Sequence, residues 1–375
     1  MDSQTAVLFV AASERDANLY YATRFLAPDP FIFMQTSTEK LLLMSDLELD
    51  RAKAQATVER VLSYSAYDRK LKDQGVAQPT AADVVSCLLQ ELAITDLIVS
   101  THFGVELADA LRERGYRLQT RKEPFFPERA LKSAQEVQYV LETMRATEEA
   151  LGHAIDAIRS SEIRHGQLYY QGQVLTSEYI KRLINVTLME KECIAQHTIV
   201  ACGDDACDPH QEGSGPLRPH QAIVFDVFPR SARTGYFADI SRTVVKGEPS
   251  DALRRVYHTV LQGQELGLQM VKEGASGKAI HSTIVELFER EGYRTGVIDG
   301  RMQGYFHGTG HGVGLEIHEP PRISRLDDAL QAGHVVTVEP GLYYLGIGGV
   351  RIEDTVVVTG EGCENLTSFP KQFEL

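Results

Sequence analysis

Five hard donors recur through the C-terminal half of the sequence in the order Asp226, Asp239, His311, Glu339 and Glu353, the four carboxylates set in apolar runs. Asp226 sits in Val224-Phe-Asp-Val-Phe228, Glu339 follows Val338, and Glu353 follows Ile352. A carboxylate without a partner is expensive to bury, so four of them in apolar runs imply a shared cation. One imidazole among four carboxylates suits Mn²⁺, Fe²⁺, Co²⁺ or Zn²⁺ better than a thiolate centre, and the charge is enough for two ions. Two ions roughly 3.5–4 Å apart would share a hydroxide nucleophilic at neutral pH while polarising a carbonyl. The chemistry implied is that of a binuclear metallohydrolase.

Two further patterns refine this. The Pro229–Gly235 run reads as a hairpin turn, and a centre between Ala232 and Arg233 would set Asp226 directly opposite Asp239. The stretch His307-Gly-Thr-Gly-His311-Gly-Val-Gly-Leu-Glu-Ile-His318 then places three histidines within 12 residues, with four glycines between them. Glycine lets backbone pass close to an ion or a substrate, and neutral imidazole ligates first-row metals.

The elements that must carry these residues follow from periodicity. Residues 1–125 alternate apolar runs with helical spacing, giving an α/β domain with a mostly parallel sheet. Its strands are expected at Ala6–Ala11, Phe31–Met34, Lys40–Met44 and Leu97–Val99. Its helices are expected at Leu47–Tyr64, Ala81–Ala93 and His102–Gly115. A Pro-rich, charged stretch, Arg121–Lys132, reads as a linker. Ser133 and Glu136 form a capping box opening a long helix to about Arg159. The second domain, 126–375, is α+β: helices at Ser177–Glu192, Asp251–Lys272 and Gly277–Glu291 cover an antiparallel sheet that includes Val335–Val338, Gly341–Tyr344 and Asp354–Val358.

Bulk properties exclude several classes. Lys and Arg total 38 against 52 Asp and Glu, a net charge of −14, which argues against nucleic-acid binding. Five cysteines without a Cys-x-x-Cys pair argue for a reducing compartment. No run of ~18 apolar residues is present, so no membrane span is expected. The N-terminus lacks a basic n-region and reads as a first strand, not a signal peptide. A cytoplasmic location is expected.

The combined motifs resemble the pita-bread metallopeptidases, the family of aminopeptidase P, prolidase and methionine aminopeptidase. They are Asp226 with Tyr236-Phe-Ala-Asp239-Ile-Ser-Arg-Thr243, the triple-histidine stretch with Glu319, Val338-Glu339-Pro-Gly-Leu-Tyr343, and Arg351-Ile-Glu353-Asp. The resemblance runs from about Lys132 to Phe373. It implies that Asp226, Asp239, His311, Glu339 and Glu353 bind two divalent ions, manganese foremost, with Asp239 and Glu353 bridging. It makes Glu339 the base for the attacking water. His307 and His318 would hold substrate and stabilise the carbonyl oxygen, His210 would be a substrate-side histidine, and Arg351 would lie beside the substrate. Twelve residues separate the two aspartates where the family commonly has ten. Side chains alternate with period 2, so both should keep their face.

Within the family, the N-terminal domain argues against methionine aminopeptidases, and the complete ligand set argues against creatinases. Cleavage before proline, as Xaa-Pro aminopeptidase or Xaa-Pro dipeptidase, is the expected activity on proline-containing peptides. A homodimer is expected from the resemblance. The alternative is a metal-free peptide- or protein-binding module of the same fold with a vestigial site.

Overall fold

The computed structural model describes residues 3–375. The chain divides into two compact units, one ending at Arg129 and the other spanning Ala130–Leu375.

The first unit is built on a six-stranded sheet in the order Arg60–Ser63, Lys40–Met44, Phe31–Gln35, Thr5–Ala11, Asp96–Ser100, Arg117–Arg121. Five of the six strands run in one direction, as expected of a mostly parallel sheet, and Phe31–Gln35 alone runs against them. The three strands from Thr5 to Met44 pair antiparallel, and the outer pairings are parallel. Only Thr36–Glu39 join the second and third of these strands, too few residues for a parallel crossover. The helix expected over Leu47–Tyr64 ends at Gln55, and Arg60–Ser63 becomes an edge strand against Lys40–Met44. Pairing of Leu42 with Val61 overrides the helical spacing. Ser63 then caps the next helix by accepting from the Ala66 N–H at 3.2 Å.

The second unit opens with the 26-residue helix Ala134–Arg159, started by the Ser133–Glu136 capping box. That helix and Ser177–Glu190 bury Leu151, Ile155 and Ile184 against Phe225 and Ile240 of a three-stranded sheet. The sheet is Ile199–Cys202, Ile223–Val227 and Ile240–Val244, all antiparallel. Helices Asp251–Met270 and Gly277–Arg290 bury Val260 and Ile284 with Val336 and Val356 of a five-stranded sheet. Its order is Glu319–Ile323, Gly310–Gly312, Val335–Val338, Asp354–Val358, Cys363–Asn365. A two-stranded ribbon, Gly341–Tyr344 with Gly348–Arg351, continues from its third and fourth strands. No helix among the described residues is long and apolar enough to cross a membrane.

Candidate metal centre

The five donors come from strands or from breaks between strands. Asp226 lies in the Ile223–Val227 strand, but its partner is Ser241, not Asp239 as the sequence suggested. The hairpin runs on through the Ser231–Tyr236 hydrogen bond to a loop over residues 232–235. Gly235, at φ 77°, supplies a left-handed position there, which moves the pivot one residue later. Asp239 is thus the diagonal neighbour of Asp226 on the same face. Tyr236 anchors this segment through its hydroxyl, 2.5 Å from the Glu136 carboxylate that also caps the long helix.

Glu339 and Glu353 occupy the two breaks between the five-stranded sheet and its ribbon. Val338 pairs with Asp354 on one side and Gly341 with Arg351 on the other, so the two glutamates share one register position. The Glu339 N–H donates to Thr309 O at 2.7 Å and the Glu353 N–H to Ser241 O at 3.0 Å. His311 lies in Gly310–Gly312, between the strands of Glu319 and Val335. The neighbouring glycines let those strands close on His311: a Cβ on Gly310 would stand 1.9 Å from Thr337 O, and one on Gly312 2.3 Å from Pro320 O.

One ligand atom each from Asp239, His311 and Glu353 lie within 4.8 Å of one another. His311 Nε2 is 3.1 Å from Glu339 Oε1 and 3.6 Å from Asp239 Oδ2. Its Nδ1 faces Gly312 O at 3.2 Å. Since a carbonyl only accepts, that contact places a proton on Nδ1 and turns the Nε2 lone pair toward the carboxylates unless a second proton sits there. Asp226 Oδ1, Asp239 Oδ1 and Glu353 Oε1 are all buried without a hydrogen-bond partner among the described residues. Burial, then Glu353 and the other carboxylates, push Asp239 well up; burial, then Glu339, do the same to Glu353. Burial also raises Asp226, against the Arg351 guanidinium. Burial works to raise Glu339 too, but the His311 hydrogen bond and charge overcome it and hold the group at about 2. Buried carboxylates this crowded need cations or protons between them, and the donor set fits divalent ions.

All nine residues singled out from the sequence line one cavity of about 880 Å³. His318 stands edge-on to His311 with ring centroids 4.4 Å apart, and burial lowers it to about 4. His210 is exposed on the same wall. His307 and Arg351 also line the cavity, and both are held by protein groups. His307 Nδ1 faces Gly308 O at 2.7 Å, and its Nε2 is 2.8 Å from the Tyr343 hydroxyl. Neutral His307 therefore accepts from Tyr343 and has no spare donor for a carbonyl oxygen. Arg351, 3 % exposed, spends its guanidinium on Asp226 at 2.7 Å, Tyr343 at 3.0 Å and Ser241 at 2.8 Å. Its contacts are with the scaffold of the site.

Two contributors escaped the sequence reading. Tyr343 links Arg351 to His307, and its motif neighbours Glu339 and Pro340 were the available signal. Arg322 lines the cavity and, among the described residues, its side chain has no ion pair. Its place four residues after His318, on the same strand pair as His311, was legible only once that pairing was known.

The metallopeptidase family M24 model matches residues 139–360, well over half of the chain. The chain belongs to the metallopeptidase family M24. An Xaa-Pro dipeptidase of Pyrococcus furiosus is 33% identical over 247 residues, which are 65% of this chain and 65% of that protein. The match thus spans just under two thirds of that relative's length. The X-Pro aminopeptidase of Thermotoga maritima aligns with a TM-score of 0.80 at 27% identity, covering 99% of this chain and 97% of that one. The Xaa-Pro dipeptidase of Bacillus anthracis gives 0.83 at 25%, covering 99% and 95%. The fold is that of the pita-bread members of the family.

Proposed function

We propose that the protein hydrolyses the peptide bond preceding a prolyl residue, as an Xaa-Pro dipeptidase or aminopeptidase. Asp226, Asp239, His311, Glu339 and Glu353 would hold two divalent ions, manganese first and cobalt, zinc or iron as alternatives. The observation that carries this is the set of three buried carboxylate oxygens without a partner among the described residues, on Asp226 and on the Asp239 and Glu353 that cluster with His311. A binding module that had shed its ions would have no use for them. The proline-directed substrate rests on the names of the relatives. When bound, such ions lower the pKa of a shared water and polarise the scissile carbonyl.

The protein's own groups then have separable tasks. Glu339, ionised, takes the proton of the attacking water and returns it to the prolyl nitrogen as the C–N bond breaks. His318, whose ring nitrogens bond to no described residue, is the free donor for the carbonyl oxygen. Such a donor is worth roughly 3–4 kcal/mol. A prolyl amide has no N–H, so nothing need accept from it. The Phe306 and His307 rings, whose centroids lie 6.4 Å apart, offer a surface for the pyrrolidine ring. Arg322 offers its guanidinium to the C-terminal carboxylate of a dipeptide, and exposed His210 faces the residue before proline. Arg351 positions Asp226. Catalysis is assigned to the region after residue 125, and every residue of the cavity falls between His197 and Glu353. A cytoplasmic homodimer fits the family resemblance and the five free cysteines.

The test compares proline release from Ala-Pro with N-terminal cleavage of Ala-Pro-Ala under Mn²⁺, Co²⁺ and Zn²⁺ in turn. Cleavage of either supports the proposal. Absence of both with every metal refutes it.

A further inference from the structure

The His318 ring has no hydrogen bond to any described residue, so its aim depends on the backbone that carries it. That backbone is a turn from Gly314 to Glu319, and its interior is filled by a charge. The Glu319 carboxylate, 2 % exposed, accepts from Lys132 Nζ, likewise 2 % exposed. It also accepts from the Glu316 N–H at 3.4 Å. A Cβ on Gly314 would stand 2.6 Å from Glu319 Oε1, so the turn is closed directly onto the carboxylate. Gly314 O in turn accepts from the Phe237 N–H at 2.8 Å, two residues before Asp239. Lys132 is itself fixed: its N–H donates to Gly333 O at 2.8 Å and its ammonium to Ala130 O at 3.1 Å. Apolar residues of similar volume are often as stabilising as a buried pair of full charges, whose best-attested use is to specify one arrangement.

We propose that Lys132 and Glu319 are positioning residues, a buried clamp that aims His318 into the cavity, 187 residues apart in sequence. Neither residue lines the cavity. Its loss acts on turnover through His318 and leaves the ions in place. This inference rests on the peptidase reading above.

The test is a double-mutant cycle between Glu319→Gln and His318→Ala, read as kcat and KM on Ala-Pro and as metal content. Glu319→Asp, which keeps the charge but shortens its reach, replaces Glu319→Gln if the latter fails to fold. In the parent background kcat should fall by about 10- to 100-fold, the range for a displaced catalytic group, with KM and metal content within about twofold. In the His318→Ala background the same change should cost less than about twofold, because the group it aims is gone. Equal losses in both backgrounds, or no loss in the parent, overturn the clamp. If the parent chain cleaves neither substrate, the peptidase reading alone falls. The cycle is then read in calorimetric affinity for Ala-Pro, where the same loss of effect in His318→Ala is expected and additivity overturns the clamp.

Discussion

Glu339 and Glu353 stand opposite one another in a single antiparallel register, at the two points where the ribbon leaves the five-stranded sheet. Neither belongs to a strand, yet each N–H is anchored, to Thr309 O and Ser241 O. Like charges facing each other in a buried ribbon destabilise it unless something positive lies between them. Glu353→Gln should therefore raise the melting temperature of ion-free protein by a few degrees, for a gain of about 1 kcal/mol or more. It should also abolish the further rise that Mn²⁺ gives the parent. Asp239→Ala should likewise remove bound metal and activity together. Thermal melts in chelator and in Mn²⁺ check the first; metal analysis with an Ala-Pro assay checks the second.

The crowding also sets a pH dependence. Burial and neighbouring carboxylates raise Asp239 above its ordinary 3.8, so the fold holds this proton more tightly than the unfolded chain does. Its contribution to ion-free stability is thus fully present at acid pH and lost as pH rises from about 4 toward its folded value. Partly buried His307, lowered from 6.5 to about 4, acts in the opposite sense, contributing roughly 3 kcal/mol that is lost as pH falls between those values. The difference between Asp239→Asn and parent isolates the carboxylate. In chelator, the variant's stability advantage should widen between pH 4 and pH 7, as read by denaturant melts. A constant difference would mean that Asp239 carries no raised pKa.

His318→Ala should keep its full metal content while kcat falls about 10²- to 10³-fold, the loss expected of one donor to a developing oxyanion. His307→Phe should cost far less in kcat, because both ring nitrogens of His307 are already committed to Gly308 and Tyr343. Steady-state kinetics on Ala-Pro separates the two. A larger loss for His307→Phe would reverse the assignment.

Arg322→Leu should raise KM for Ala-Pro by about tenfold, the worth of a charge-assisted contact to a carboxylate. KM for Ala-Pro-amide, which lacks the carboxylate, should change little. Equal effects on the two substrates would remove Arg322 from substrate recognition.

Much of this was legible in the sequence because burial of charge is a strong signal: every carboxylate donor stood out against an apolar run. The Ser133–Glu136 capping box and the three C-terminal strands from Val335 to Val358 were equally plain, since caps and alternation are local. What depends on pairing was not local. The pivot set by Gly235 moved Asp226 from Asp239 to Ser241, and pairing with Lys40–Met44 turned Arg60–Ser63 from helix into strand. The committed nitrogens of His307 and the inward use of Arg351 follow from Tyr343 and Asp226, residues 36 and 125 positions away. No spacing rule within one segment reports such contacts.

The most direct measurement of the central claim is proline release from Ala-Pro by one preparation, first stripped by chelator and then titrated with Mn²⁺. Activity absent after stripping and restored as two ions bind per chain is the predicted result. Undiminished hydrolysis without metal, or metal uptake with no hydrolysis, would contradict the account.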